Sequence, residues 1–247
     1  MSGSTNLAYL TKYSGGTTFS QVGSPVLNGI VYAMSALDPS NVFIGGDFTN
    51  IGTHITRLNT YSSLFTGLST GLNDTVRAIS VLDQSNVYIG GDFTNGGNIG
   101  NYITRWNGTQ FNRLGSEDLS GGSIVAIHAL DPSHVYIGGT FARYGTDTSM
   151  CQIAMWDGQS ITALGSGIPI EVPSNGVRAI YALDENHVYI GGQFNHIKMW
   201  NGSSFDILSG SLPLSSCQAL NMIKNDKTTL YIAGGGGGNS GVQKRIT

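Results

Sequence analysis

Tyr88-Ile89-Gly90-Gly91-Asp92-Phe93 is one of five versions of a single phrase. The others are Phe43-Ile44-Gly45-Gly46, Tyr136-Ile137-Gly138-Gly139, Tyr189-Ile190-Gly191-Gly192 and Tyr231-Ile232-Ala233-Gly234. Each copy sits inside a longer recurring unit. A period of about 45 to 50 residues is the mark of a propeller or repeat array, whose single units cannot bury their own apolar faces.

Aligning the copies outward from the phrase gives four short segments per unit. The first is apolar and holds an alanine at one fixed place: Ala33, Ala78, Ala126, Ala179 and Ala219. A small side chain there suggests close approach of neighbouring sheets near a crowded axis. A polar turn follows, as in Asp38-Pro39-Ser40-Asn41 and Asp131-Pro132-Ser133-His134; Asp first and Pro second favour a type I turn. The second strand carries the glycine phrase. The third centres on Ile103-Thr104-Arg105-Trp106 and its equivalents, and closes on Asn107-Gly108, Asp157-Gly158 or Asn201-Gly202, which are strong hairpin signals. The fourth is short and often ends in Leu-Gly.

Four antiparallel strands repeated at this length describe propeller blades. The expectation is a single all-β domain over residues 1–247, a five-bladed β-propeller of four-stranded antiparallel blades. Its blades are placed at about 31–68, 76–115, 124–165, 177–209 and 217–247. Leu10-Thr11-Lys12-Tyr13 matches a third strand and Thr17–Val22 a fourth, so residues 7–23 are expected to complete the last blade by pairing with the C-terminal strands. Such closure removes exposed sheet edges. Alternatively, Val242–Thr247 supplies the third strand of that last unit, as in a fragment of a longer array.

Composition narrows the function. Only 11% of residues are charged, the net charge is −3, and no basic run exists; a nucleic-acid partner would need one. No apolar stretch is long enough to span a membrane as a helix. The start, Met1-Ser2-Gly3-Ser4-Thr5-Asn6, lacks the basic region and apolar core of a signal peptide. The expected location is therefore cytoplasmic or virion-associated, or the cell surface if a leader has been removed. Cys151 and Cys217 occupy non-equivalent places, so neither a disulfide framework nor a cysteine metal site is expected.

The phrase Tyr-Ile-Gly-Gly-x-Phe, followed by Ile-x-x-Trp-Asn/Asp-Gly, resembles a propeller repeat of bacterial and fungal surface proteins and giant-virus proteins. The fungal polarity-marker and kelch-like propellers are similar. The resemblance covers nearly the whole chain and implies a fold, not a chemistry.

Candidate sites lie where the repeats disagree. Second-to-third strand connections differ widely in length, and loops on a rigid scaffold carry function. Asn95, Asn98, Asn101, Tyr102, Tyr144 and Gln152 on that variable face have the aromatic and amide chemistry for ligand contact. A polar ring is expected around a central channel, from Ser35, Ser80, His128, Tyr181 and Asn221 with Arg77 and Arg178 beside them. It serves either mutual hydrogen bonding or a small polar ligand. No catalytic residues, cofactor or metal are expected: the inner strands lack acids in their cores, no histidine pair has metal spacing with an acid, and no nucleophile or phosphate-loop motif occurs. The resulting expectation is a non-catalytic recognition or scaffold module that binds a glycan or a protein. A structural part of a virion or surface fibre is the alternative, and a glycosidase-like enzyme comes third.

Overall fold

The computed structural model describes residues 10–13, 15, 19–147, 152–168, 176–194, 196–208, 216–222, 229–235 and 241–246, the last stretch by backbone alone. These residues form strands, turns and bends, without helix. A short pair comes first, β1 (Thr11–Tyr13) with β2 (Phe19–Gln21). The first full sheet has the order β3 (Val31–Asp38), β4 (Asn41–Gly46), β5 (Ile55–Asn59), β6 (Leu64–Gly67). The second is β7 (Val76–Asp83), β8 (Asn86–Gly96), β9 (Gly100–Trp106), β10 (Phe111–Asn112).

A two-residue strand, β11 (Leu119–Ser120), pairs outside the third sheet with β14 (Arg143–Tyr144). That sheet is β12 (Ile124–Asp131), β13 (His134–Gly139), β15 (Ile153–Trp156), β16 (Ile161–Ala163). The fourth is β17 (Val177–Asp184), β18 (His187–Gly192), β19 (Lys198–Trp200), β20 (Phe205–Ile207). A fifth, three-stranded sheet joins β21 (Ser216–Met222), β22 (Thr229–Gly235) and β23 (Gly241–Ile246). All pairings are antiparallel, and the inner strands pack in series: β3 on β7, β7 on β12, β12 on β17, β17 on β21.

The glycine phrase is the mechanism of that stacking. A Cβ on Gly45 would lie 2.8 Å from Val76 Cβ and 3.1 Å from Ile79 Cδ1 of the next sheet. On Gly90 it would lie 2.8 Å from Ile124 Cβ and 2.9 Å from Ile127 Cδ1, and on Gly138 2.9 Å from Ile180 Cδ1. On Gly191 it would lie 2.7 Å from Cys217 Cβ. Gly45, Gly90 and Gly138 are thus sockets for two side chains of the following inner strand, and Gly191 for one. Cys217 plays the part of Val76, Ile124 and Val177. The second glycine faces backbone: a Cβ on Gly46, Gly91 or Gly139 would run into the carbonyl of Ile30, Thr75 or Ser123. Those carbonyls accept the N–H of Asp47, Asp92 and Thr140 at 2.9–3.0 Å, which fixes the entry of each inner strand.

Every inner strand shifts register one residue in, between Val31 and Ala33, Val76 and Ala78, Ile124 and Ala126, Val177 and Ala179, and Cys217 and Ala219. A bulge there bends the strand and re-aims the extra side chain. The repeated alanines are buried where another sheet covers them: Ala78 is 6% exposed and Ala126 7%.

Among the described residues, the N-terminal strands β1 and β2 pair with each other and not with the last sheet. β23 occupies the free edge of β22, with Thr229 opposite Ile246 and Ala233 opposite Val242. A local hairpin costs less closure entropy than joining distant parts of a long chain. β1 and β2 nonetheless keep the geometry of an outer half-blade. Tyr13 stands opposite Phe19 as Trp106 stands opposite Phe111, with ring centroids 5.5 and 5.1 Å apart. Leu10 and Val22 pack on Leu27, Ile44 and Leu58 of the first sheet's core.

Candidate functional site

The two ends of the sheets differ as expected. At the uniform end the Asp turns are self-contained. Asn41 Nδ2 donates to Asp38 Oδ2 at 2.9 Å and Asn86 Nδ2 to Asp83 Oδ2 at 2.9 Å. His134 and His187 meet Asp131 and Asp184 through Nδ1, each at 2.8 Å. Histidine replaces asparagine here as a turn donor. His134 also lies 3.6 Å from Glu185 Oε1 of the next sheet. Asp131, His134 and Glu185 are the one trio with metal-ligand chemistry among the described residues, and its first two members are already bound to each other as a turn.

At the variable end, loops are held by reciprocal amide bonds. The Asn28 N–H donates to Asn50 Oδ1 at 3.1 Å, while Asn28 Oδ1 accepts from the Thr49 N–H at 2.8 Å. The same clasp recurs in the second sheet. There the Asn73 N–H donates to Asn95 Oδ1 at 3.1 Å, and the Thr94 N–H to Asn73 Oδ1 at 2.9 Å. Each clasp ties the segment entering a first strand to the loop leaving the second.

The six loop candidates fall into this framework. Asn95 belongs to the clasp. Asn101 uses its N–H and Nδ2 on Asp118, at 3.0 and 3.2 Å, and accepts from the Gly96 N–H at 2.9 Å. The Tyr144 side chain is buried, and its hydroxyl accepts from the Glu117 N–H at 3.2 Å. Tyr102 and Gln152 are equivalent residues with φ of 65° and 66°, a left-handed conformation shared by His54 at 67°. That conformation is uncommon for residues other than glycine. It lets the His54 and Gln152 carbonyls accept the N–H of Gly46 and Gly139. Tyr102 packs against the cluster of Tyr88, Ile103 and Leu119. Gln152 is 4% exposed, and its Oε1 has no hydrogen-bond partner among the described residues. Asn98 is exposed, with its carbonyl accepting from the Arg113 N–H at 2.6 Å. The structure therefore spreads the six over a scaffold rather than converging them on one pocket.

The inner-strand polar residues contact each other from sheet to sheet. Ser80 Oγ accepts from the Ala129 N–H at 3.0 Å, and the His128 and Tyr181 rings meet edge-on at 5.1 Å. Burial holds His128 below the usual imidazole pKa. Ser35 and Tyr181 are half-buried, while Asn221 and Arg178 are exposed.

Arg77 is a bulge residue. Its Nε and Nη2 each lie 2.7 Å from Asp92 Oδ2, and its guanidinium sits over the Tyr32 ring at 5.1 Å. Burial alone would push Asp92 upward, but the hydrogen bond and charge of Arg77 hold its carboxyl below the ordinary value. Reading the sequence did not join Tyr32, Arg77 and Asp92. The available signal was that Arg77 lies in the bulge directly across from the glycines that precede Asp92.

A groove of about 450 Å³ opens between β1–β2 and the first sheet. Leu10, Thr11, Lys12, Met34, Ala36 and Leu58 are among the residues lining it. Of its lining residues, Met34 is a large apolar side chain left 60% exposed. Nothing in the sequence pattern singled out this groove, because it lies between elements rather than within a repeat. Smaller notches lie on the flanks between sheets, one of about 230 Å³ beside Trp200 and one of about 140 Å³ beside Trp106.

No family model matches this sequence, and no curated protein matches it. Solved structures do share the architecture. The extracellular domain of the putative hybrid two component system BT4673 from B. thetaiotaomicron superposes with a TM-score of 0.62 at 14% identity. That match covers 92% of this chain and 28% of that one, so the chain spans little more than a quarter of the larger protein. U3-55K matches with a TM-score of 0.60 at 14% identity, over 93% of this chain and 70% of that one. The RRP9 WD40 repeats match with 0.58 at 14% identity, over 88% and 63%. The fold is a β-propeller-like repeat array. Its sheets are blades, and identity at this level carries the fold alone. No helix among the described residues is long and apolar enough to cross a membrane.

Proposed function

We propose that the chain is a non-catalytic recognition module of five blades that contacts a protein partner through its variable loop face. The carrying observation is the pair of asparagine clasps, at Asn28 with Asn50 and at Asn73 with Asn95. They hold loops of unequal length in fixed positions, and a surface ordered before binding loses less entropy on association. A protein suits this face better than a glycan. The amides and phenol that would serve a sugar are engaged internally at Asn95, Asn101 and Tyr144.

Replacing the loop over residues 94–101 with a short Asn-Gly turn tests the reading. Purified partners found by cross-linking should lose affinity for this variant while its thermal unfolding stays cooperative. Binding that survives the exchange, or turnover of a bound glycan by the wild-type chain, would overturn it.

A further inference from the structure

The geometry points to the groove beside β1 as a docking site for an extended segment of a partner protein, added as the second strand that the β1–β2 half-blade lacks among the described residues. The molecule supplies its own template, because the same interface is built four times within it. In each blade the second strand lies against the third and offers a glycine socket to the next inner strand.

β1 and β2 reproduce the outer half of that arrangement in register and in aromatic pairing. Leu10 corresponds to Ile103, which stands opposite Gly90; Thr11 and Lys12 correspond to Thr104 and Arg105, opposite Ile89 and Tyr88. On the other wall, Met34 corresponds to Ile79, Ile127 and Ile180, the residues that seat on sockets elsewhere. Met34 is 60% exposed, whereas Ile180 is 8% exposed. A strand entering here would pair with Leu10–Lys12 by backbone hydrogen bonds and cover Met34 with its side chains, which is recognition by strand addition. Its central residue must be glycine or similarly small.

The chain's own β22 is the obvious competitor, and two observations disfavour it. Its edge is already paired with β23. Its socket position is Ala233, opposite Ala219, where the other four blades have glycine. A methyl group fills the space that a knob such as Val31 or Met34 would need.

The test uses the full chain and a labelled synthetic peptide of residues 86–93, Asn-Val-Tyr-Ile-Gly-Gly-Asp-Phe, followed by fluorescence anisotropy. Saturable binding is expected. It should be at least about tenfold weaker for the Gly90→Ala peptide, from the overpacking cost of one methyl. It should be lost in Met34→Asp, a substitution at an exposed position that leaves the unfolding transition in place. Equal binding of both peptides, or binding indifferent to Met34→Asp, overturns the proposal. Absence of saturable binding also overturns it, and a ready intramolecular disulfide in Met34→Cys/Ala233→Cys would then show β22 filling the groove instead.

Discussion

Gly90→Ala puts the socket mechanism at risk. The added Cβ would stand 2.8 Å from Ile124 Cβ and 2.9 Å from Ile127 Cδ1, and closer still to Ile124 Cγ2. Gly90 has an ordinary extended backbone, and alanine there reduces the freedom of the unfolded chain, which by itself would stabilise by about 0.4–1 kcal/mol. Forcing one methyl into a packed interface costs about 1–3 kcal/mol. With three atoms inside 3.0 Å the cost lies toward the upper end of that range, so the interface should win, leaving a net loss of about 1–2.6 kcal/mol. For a chain of this size that lowers the unfolding midpoint by about 2–10 °C. The assay is thermal and urea unfolding of Gly90→Ala, of Ile124→Ala and of the double variant. Ile124→Ala alone should cost about 2–5 kcal/mol. The double variant should be less damaged than the sum by about 0.5–3 kcal/mol, since removing Cγ2 makes room for the methyl. If Gly90→Ala is neutral or stabilising, or the two changes add, the glycines are not sockets and their recurrence needs another cause.

Two further outcomes follow from the site. Asn95→Ala removes the acceptor of the Asn73 N–H and should cost about 1 kcal/mol, read by urea unfolding, with faster amide exchange at Asn73. His128 is held low by burial, with a backbone hydrogen bond to Ile180 acting the other way. A depressed native pKa means its contribution is complete above the unfolded value of about 6.5 and is lost as pH falls through the native one. The fall in urea midpoint between pH 8 and pH 5.5 should therefore shrink in His128→Asn; an unchanged fall would place the titration elsewhere.

How much of this was legible in the sequence depends on whether a role was repeated. The strand order, the turn acids and the close approach at Ala78, Ala126 and Ala179 recur, and recurrence exposes them. The glycines mark the repeat in the sequence; only the neighbouring sheet shows that Gly90 receives Ile124. The loop amides were harder. An asparagine facing solvent and one clasping a backbone N–H look identical in a single loop. The clue was again repetition: Asn28 and Asn73 each stand three residues before an inner strand, and Phe-Thr-Asn recurs at 48–50 and 93–95. The seam was left between two readings for a different reason. Pattern matching offered both β1 and Val242–Thr247 as neighbours of β22 without ranking them by chain distance; β23 is closer along the chain and occupies that edge.

The bulge position joins scaffold to function. Tyr32, Arg77, Val125, Arg178 and Gln218 occupy one backbone geometry, in which the extra residue is turned out of the ladder. A side chain so placed is not opposed by a residue of the ladder, so the fold tolerates an aromatic, a cation, an aliphatic or an amide there, and Arg77 uses the freedom to reach Asp92. Its neighbours on either side have no such freedom: Val76 must fit Gly45, and Ala78 must lie under the next blade. Variation is thus confined to positions that the stacking does not use. Tyr32 lies between the exposed face of the first blade and Arg77 of the second. It therefore ties the first two blades together at a position where the repeats were free to diverge.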